Sequence, residues 1–112
     1  MTSKIVVLVT CSSSKDARDI ARLLVERKLA ACVQEIGGTI RSTYRWKGKV
    51  ESAKEILLLI KTTRGKFPEV KKAVKQIHSY EVPEIIALPI EDGSEEYLNW
   101  IAESVGEKKT RR

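Results

Sequence analysis

The sequence has few of the residues on which covalent frameworks and reactive centres depend. It contains two cysteines, Cys11 and Cys32, and a single histidine, His78. Two cysteines are too few for a disulfide framework, so reduced thiols and a cytoplasmic location are expected. No Ser-His-Asp or Cys-His pairing is signalled, and one histidine leaves little for acid–base chemistry, so we do not expect an enzyme.

Long apolar segments and phosphate-binding loops are also missing. No apolar run approaches the roughly 20 residues that a membrane span requires, and no basic stretch followed by an apolar segment opens the sequence. Neither a membrane partner nor a signal peptide is therefore expected. The sequence has no GxxxxGK[ST] loop, which counts against a nucleotide ligand.

Positive charge is in excess but unevenly placed. The formal net charge is +6, of which residues 107–112 supply +3. We predict a single domain over residues 1–106 and a basic, disordered tail over residues 107–112. Half of the excess charge lies on this tail, and the central strands carry no aromatic residues for stacking, so nucleic acid is not expected as a partner.

Three apolar runs dominate what the sequence does contain: residues 5–9, 56–60 and 85–88. A half-buried strand alternates between apolar and polar residues, whereas unbroken runs indicate strands buried on both faces. Only two helices are long enough to cover a sheet, and together they cover one face. The other face needs a second copy of the chain, so the sequence predicts an obligate oligomer.

The two helices carry recognisable start signals. Ser12 to Ser14 offer N-cap hydroxyls for a first helix that runs to about Lys28. A strand over residues 31–36 follows, and Gly37-Gly38 breaks or bulges it. Pro68 fits the first turn of a second helix. Its apolar stripe comprises Val70, Ala73, Val74 and Ile77.

A long hairpin lies between the helices. Residues 40–47 alternate cleanly, Gly48 lies in the turn, and residues 50–63 return as a strand whose length places the tip beyond the domain. A strand over 85–90 and a short helix over 95–104 complete the chain. The order predicts an α+β fold: a ferredoxin-like βαββαβ sandwich of four antiparallel strands, with two helices on one face and a short C-terminal helix.

Five motifs fall in one order along this framework. They are Leu29-Ala30-Ala31-Cys32-Val33, Ser42-x-Tyr44-x-Trp46-x-Gly48, Glu55 with Lys61-Thr62, His78-x-Tyr80-Glu81-Val82-Pro83-Glu84, and Tyr97-Leu98-x-Trp100. From about residue 4 to residue 101, the chain resembles the CutA divalent-cation tolerance family.

The resemblance implies a tight homotrimer with architectural kinship to the PII signalling trimers. It also implies a role in tolerance of copper and other divalent cations, with a copper ion as possible ligand. Three positions depart from the family, which often has proline where Ser12, Gly37 and Ser79 stand. Each lost proline makes a turn less rigid, and the change at Ser79 lies beside His78.

Metal ligands are predicted around His78. The imidazole, with Glu81 and Glu84 in the same loop, suits copper or zinc, and Cys11 adds a thiol that a helix N-terminus would activate. The alternatives are that His78 caps the preceding helix and that Cys11 is a small buried residue. Cys32 is predicted to be a packed, inert thiol.

A second group of residues is assigned to a subunit interface or to a cleft between subunits. The aromatic members are Tyr44, Trp46, Tyr80, Tyr97 and Trp100, because aromatic side chains dominate the buried centres of interfaces. Lys61 closes a buried strand and is either an end residue that extends its ammonium group to water or an anion ligand in an intersubunit pocket.

Two functions follow. The first is a non-enzymatic, copper-binding homotrimer in divalent-cation tolerance. The alternative is a PII-like signalling or scaffolding trimer that binds a small anion or a protein partner in an intersubunit cleft.

Overall fold

The computed structural model describes residues 2–38 and 40–108 of the chain. Its elements are β1 (Lys4–Cys11), α1 (Ser14–Glu26), β2 (Cys32–Glu35), β3 (Ile40–Trp46), β4 (Lys49–Thr63), a 3₁₀ turn (Arg64–Lys66), α2 (Phe67–Ile77), β5 (Ile85–Pro89) and α3 (Glu95–Ser104). The predicted α+β class is confirmed, with an antiparallel sheet and three helices.

The sheet has five strands where four were predicted. Its central order is β2-β4-β1-β5, and β3 also pairs with β4. Residues 37–38 form a bend in which Gly38 has a φ of +76°, and this bend separates β2 from β3. Strand β4 is long enough, at 15 residues, to pair with β3 along its first half and with β2 along its second.

The β3–β4 hairpin projects from the domain, as its length predicted. Its two-residue turn, Lys47-Gly48, has positive φ at both positions, 51° and 81°, which matches the twist of the flanking strands. The molecule measures 50 × 25 × 25 Å, and the hairpin residues from Tyr44 to Ser52 are exposed.

The core lies between one face of the sheet and helices α1 and α2. It includes Ile5, Val7, Val9, Ile20, Leu24, Leu58, Ile60, Val70 and Val74, all fully buried. Two helix predictions need correction. Helix α1 ends at Glu26 because Lys28 adopts a left-handed φ of 58°, and Ile77 at the end of α2 is exposed rather than part of the buried stripe.

Neither α1 nor α2 covers the opposite face of the sheet, which we call the open face. Strand register places Leu8, Leu59 and Ile86 side by side on this open face, with Leu88 in the next row. Ile86 and Leu88 remain 47% and 46% exposed. The apolar character of both strand faces is therefore confirmed, and one of them is uncovered in the single chain.

Helix α3 covers only one end of the open face. It contacts β4 and β1, and its C-terminal extension is held by Glu107, whose carboxylate accepts a hydrogen bond of 2.9 Å from the Thr63 hydroxyl. Glu107 is thus part of the folded domain, although the sequence assigned it to the tail. Residues 109–112 of that tail lie outside the described residues. Among the described residues, no helix is long and apolar enough to cross a membrane.

The N-cap of α1 supplies a test of the local sequence signals. Ser13 Oγ accepts a hydrogen bond of 3.1 Å from the Asp16 N–H, so Ser13→Ala should lower the free energy of unfolding by about 1 kcal/mol. Urea denaturation at one fixed protein concentration measures the loss.

Ser12→Ala is the matched control. The Ser12 hydroxyl reaches only the Asp16 carboxylate, at 3.4 Å on the surface, so we expect a change below about 0.5 kcal/mol. Equal losses in both variants would contradict the assignment of Ser13 as the cap.

Candidate functional site

A pocket of about 780 Å³ opens between the hairpin and the loop that follows α2. One wall comes from β3, another from the middle of β4, and the third from the loop over residues 79–84. We call it the acidic pocket; its lining residues are Ser42, Thr43, Tyr44, Trp46, Glu55, Ser79, Tyr80, Glu81, Val82, Pro83 and Glu84.

Glu55 and Tyr80 join the hairpin wall to the loop wall. The Tyr80 hydroxyl donates a hydrogen bond of 2.7 Å to Glu55 Oε2, and Glu55 is only 7% exposed. Burial raises the pKa of the Tyr80 hydroxyl, and the hydrogen bond to Glu55 raises it further, so Tyr80 acts as a donor at neutral pH. The bond fixes the carboxylate in the pocket.

Negative charge is concentrated in the acidic pocket. Three of its lining residues are glutamates, and none is lysine, arginine or histidine, although the whole chain has a net charge of +6. Desolvation raises the pKa of the Glu84 carboxyl, and repulsion from Glu55 raises it further. A cation in the pocket would relieve this repulsion, whereas an anion would add to it.

His78 lies buried beneath the pocket with both ring nitrogens engaged. The Tyr80 N–H donates to Nδ1 at 3.1 Å, so Nε2 carries the proton and donates to the Thr10 carbonyl at 2.7 Å. The His78 N–H also bonds to Val74 O at the end of α2. The ring therefore connects the loop to the end of β1, and neither nitrogen has a free lone pair for a metal.

Cys11 faces the hydrophobic core rather than the pocket. Its side chain is fully buried, and burial raises the pKa of the thiol to about 11, with smaller contributions from Asp16, Glu35 and Glu55. The expected activation by the helix N-terminus is therefore wrong in direction, because desolvation and nearby carboxylates outweigh it. At neutral pH Cys11 is a protonated thiol.

The predicted site residues are only partly brought together. Tyr44, Trp46, Tyr80, Glu81 and Glu84 share the acidic pocket. Within residues 2–38 and 40–108, no three His, Cys, Asp or Glu side chains form a group that could hold a metal ion. The assignment of His78, Cys11, Glu81 and Glu84 to one metal site therefore stays a prediction. A single folded chain does not bring these four side chains together as one group of ligands.

Three other predicted interface residues lie away from the pocket. Lys61 is on the open face of the sheet, where its ammonium group donates to the Gln34 side-chain oxygen. Tyr97 and Trp100 pack against each other on α3, with ring centroids 5.4 Å apart.

Sequence reasoning did not assign Glu55 to the site. One sequence signal could have indicated it: Glu55 directly precedes the apolar run at residues 56–60, on the strand β4 that pairs with three other strands.

Comparisons with known proteins agree on one family. Residues 5–104 match the model described as CutA1 divalent ion tolerance protein. The chain is 52% identical over 101 residues to the divalent-cation tolerance protein CutA of Thermus thermophilus, across 90% of this chain and 97% of that relative. It is 52% identical over 99 residues to a CutA homolog of Xenopus laevis, across 88% of this chain but only 65% of that relative.

Structural comparison gives the same family. The solved structure of the divalent cation tolerance protein (Cut A1) from Thermus thermophilus superposes with a TM-score of 0.89 at 50% sequence identity. The match covers 92% of this chain and 99% of that one. The described fold is thus the fold of the CutA1 structures.

The two hydrogen bonds of the His78 ring lead to a prediction. His78→Ala leaves the buried Thr10 carbonyl and the Tyr80 N–H without these partners, and should lower the free energy of unfolding by about 2–4 kcal/mol. Long-range ¹H–¹⁵N spectra of the wild type should show a protonated Nε2 and a bare Nδ1.

Ser79→Ala serves as the control for the stability measurement. The Ser79 hydroxyl makes a surface hydrogen bond of 3.2 Å to Asp16, so its loss should change stability by less than about 0.5 kcal/mol. Observation of the Nδ1–H tautomer, or of equal losses in the two variants, would overturn the bridging role of His78.

Proposed function

The chain belongs to the CutA1 divalent ion tolerance family, and from this premise we propose that it acts in divalent-cation tolerance as a non-enzymatic homotrimer whose acidic pocket takes a positively charged ligand. One observation carries the proposal: three carboxylates and no basic side chain line the pocket of a basic protein.

The charge of the pocket favours this function over its alternative. A PII-like trimer that holds a small anion would need positive charge at the site, because an anion near three carboxylates is repelled. Glu55 is buried and held by Tyr80, so its charge cannot move away from a ligand. A cation is the ligand class that this electrostatic environment stabilises.

The oligomer in the proposal rests on the open sheet face. Its exposed leucine and isoleucine side chains form a contiguous apolar surface, and burial of such surface contributes about 25 cal/mol per Å². Two further copies packed around a three-fold axis would cover it. The proposal includes a cytoplasmic location, which is supported by a sequence with only two cysteines, too few for a disulfide framework.

The residues predicted to bind copper do not fit a copper centre within one chain. Copper prefers imidazole and thiolate ligands, but the His78 nitrogens are both bonded and the Cys11 thiol is protonated in the core. The donors that remain open are the carboxylates of the acidic pocket. We therefore assign no chemistry to a bound copper ion.

The assembly is tested by placing a charge on the open face. Ile86→Glu should convert the trimer to monomer, because a carboxylate in an apolar interface has no partner. Native mass spectrometry of wild type and variant measures the change.

Val25→Glu is the matched control, since Val25 is a comparably exposed apolar residue, at 43% against 47% for Ile86, but lies on α1. We expect it to remain trimeric. A monomeric wild type, or trimers in both variants, would contradict the proposed interface.

Copper titration tests which residues meet the metal. If copper enters the acidic pocket, Glu84→Gln should weaken binding about tenfold, the equivalent of about 1.4 kcal/mol, whereas Cys11→Ala should change it less than twofold. Isothermal titration calorimetry measures both. A larger loss of copper affinity in Cys11→Ala than in Glu84→Gln would indicate that Cys11 is the ligand. The absence of a binding heat in the wild type would contradict copper as a ligand.

A further inference from the structure

The lining of the acidic pocket combines two kinds of side chain. Tyr44, Trp46 and Tyr80 supply aromatic rings, and Glu55, Glu81 and Glu84 supply carboxylates. We propose that the pocket is a site for organic ammonium groups, in which the carboxylates balance the charge and the aromatic rings contact the ammonium and its alkyl carbons. The inference rests on the proposed function in one respect, that the pocket takes a cation, and names the chemical class of that cation.

The size of the pocket favours an organic cation over a bare metal ion. Oxygen ligands hold divalent ions at about 2.0–2.6 Å, so a metal site gathers its donors closely around one point. The described residues contain no such group of three donors. The pocket volume of about 780 Å³ instead lies within the range of about 300–1,000 Å³ that is typical of small-molecule sites.

The aromatic wall is suited to positive charge. Tyr44 and Trp46 are two residues apart on β3, so their side chains project from the same side of the strand. In this structure the Lys47 ammonium already lies 5.8 Å from the centroid of the Trp46 ring. The distance is within the range of a cation–π contact, so an ammonium group can lie beside this exposed ring.

The carboxylate wall provides discrimination against neutral ligands. Glu55 is buried and oriented by the Tyr80 hydroxyl, and Glu84 is destabilised as an anion by desolvation and by Glu55. An ammonium group between them would donate hydrogen bonds and also balance the negative charge, whereas a hydroxyl of the same size would donate a hydrogen bond and leave the charge unbalanced.

The loop wall can hold an alkyl chain. Val82 is 68% exposed at the pocket and is followed by Pro83, so an apolar surface adjoins the carboxylates. Ammonium heads on alkyl stems occur both in free amines and in lysine side chains, and the pocket chemistry is the same for both.

The test uses a protein with one reporting tryptophan. Trp100→Phe leaves Trp46 as the only tryptophan, because the chain has two. Titration with n-butylammonium chloride at constant ionic strength should change Trp46 fluorescence saturably, with a Kd of about 1–10 mM. Equal concentrations of n-butanol should give a response at least tenfold weaker.

Variants of the pocket distinguish binding at this site from nonspecific binding elsewhere on the protein. Glu55→Gln keeps an acceptor for the Tyr80 hydroxyl and should weaken butylammonium binding at least tenfold, and Glu84→Gln should weaken it several-fold. Glu91→Gln, an exposed carboxylate outside the pocket, should leave it unchanged. No saturable change, an equal response to n-butanol, or unaltered binding in Glu55→Gln would overturn the inference.

Two further arms identify the source of the ammonium group and separate the two proposals. Tighter binding of acetyl-Gly-Lys-Gly-amide than of butylammonium would indicate a lysine side chain, and the reverse order a free amine; both support the inference. Copper binding that depends on Glu84, without butylammonium binding, would overturn this inference alone. Failure of both ligands would overturn the cation pocket itself.

Discussion

The structure depends on a sheet that is apolar on both faces and has long helices over only one. On the covered face, α1 and α2 bury the side chains of β1 and β4 almost completely. On the open face, Leu8, Leu59 and Ile86 lie in one row outside the core that α1 and α2 form, and Ile86 stays 47% exposed. Burial of this second face requires another molecule, and the same strands that fill the core would then hold an assembly together.

The candidate site follows from where β4 ends its pairing with β1. Beyond Cys11, β1 gives way to α1, while β4 continues into the hairpin, and Glu55 lies one residue past the last β1 partner, Ile56. The loop after α2 returns to this junction because His78 bonds to the Thr10 carbonyl and Tyr80 bonds to Glu55. A carboxylate is thereby buried at the one place where the sheet, the hairpin and a loop meet.

Local sequence signals predicted most helices and strands correctly. The features that they failed to predict depend on contacts between residues far apart in the sequence. The serines at 12–14 and Pro68 marked the helix starts, with Ser13 the cap in the structure, and the unbroken apolar runs marked β1, β4 and β5. Gly37-Gly38 predicted a break or a bulge after residue 36 but could not decide between them, because a glycine pair allows both geometries, so the predicted fold counted four strands and the structure has five. The bonding of His78 was invisible because its partner, Thr10, is 68 residues away in sequence. Glu55 was missed because burial of a single carboxylate depends on neighbours from three segments.

The length of β4 also has a consequence for the order of folding. Among the residues that the structure describes, β1, β2 and β3 all pair with β4, and the partners of β1 lie at residues 56–63 and 85–89. A chain leaving the ribosome therefore contains β1, α1 and β2 before it contains β4, the strand with which β1 and β2 both pair. Such non-local pairing slows folding, and the first half of the chain must stay unassociated during synthesis.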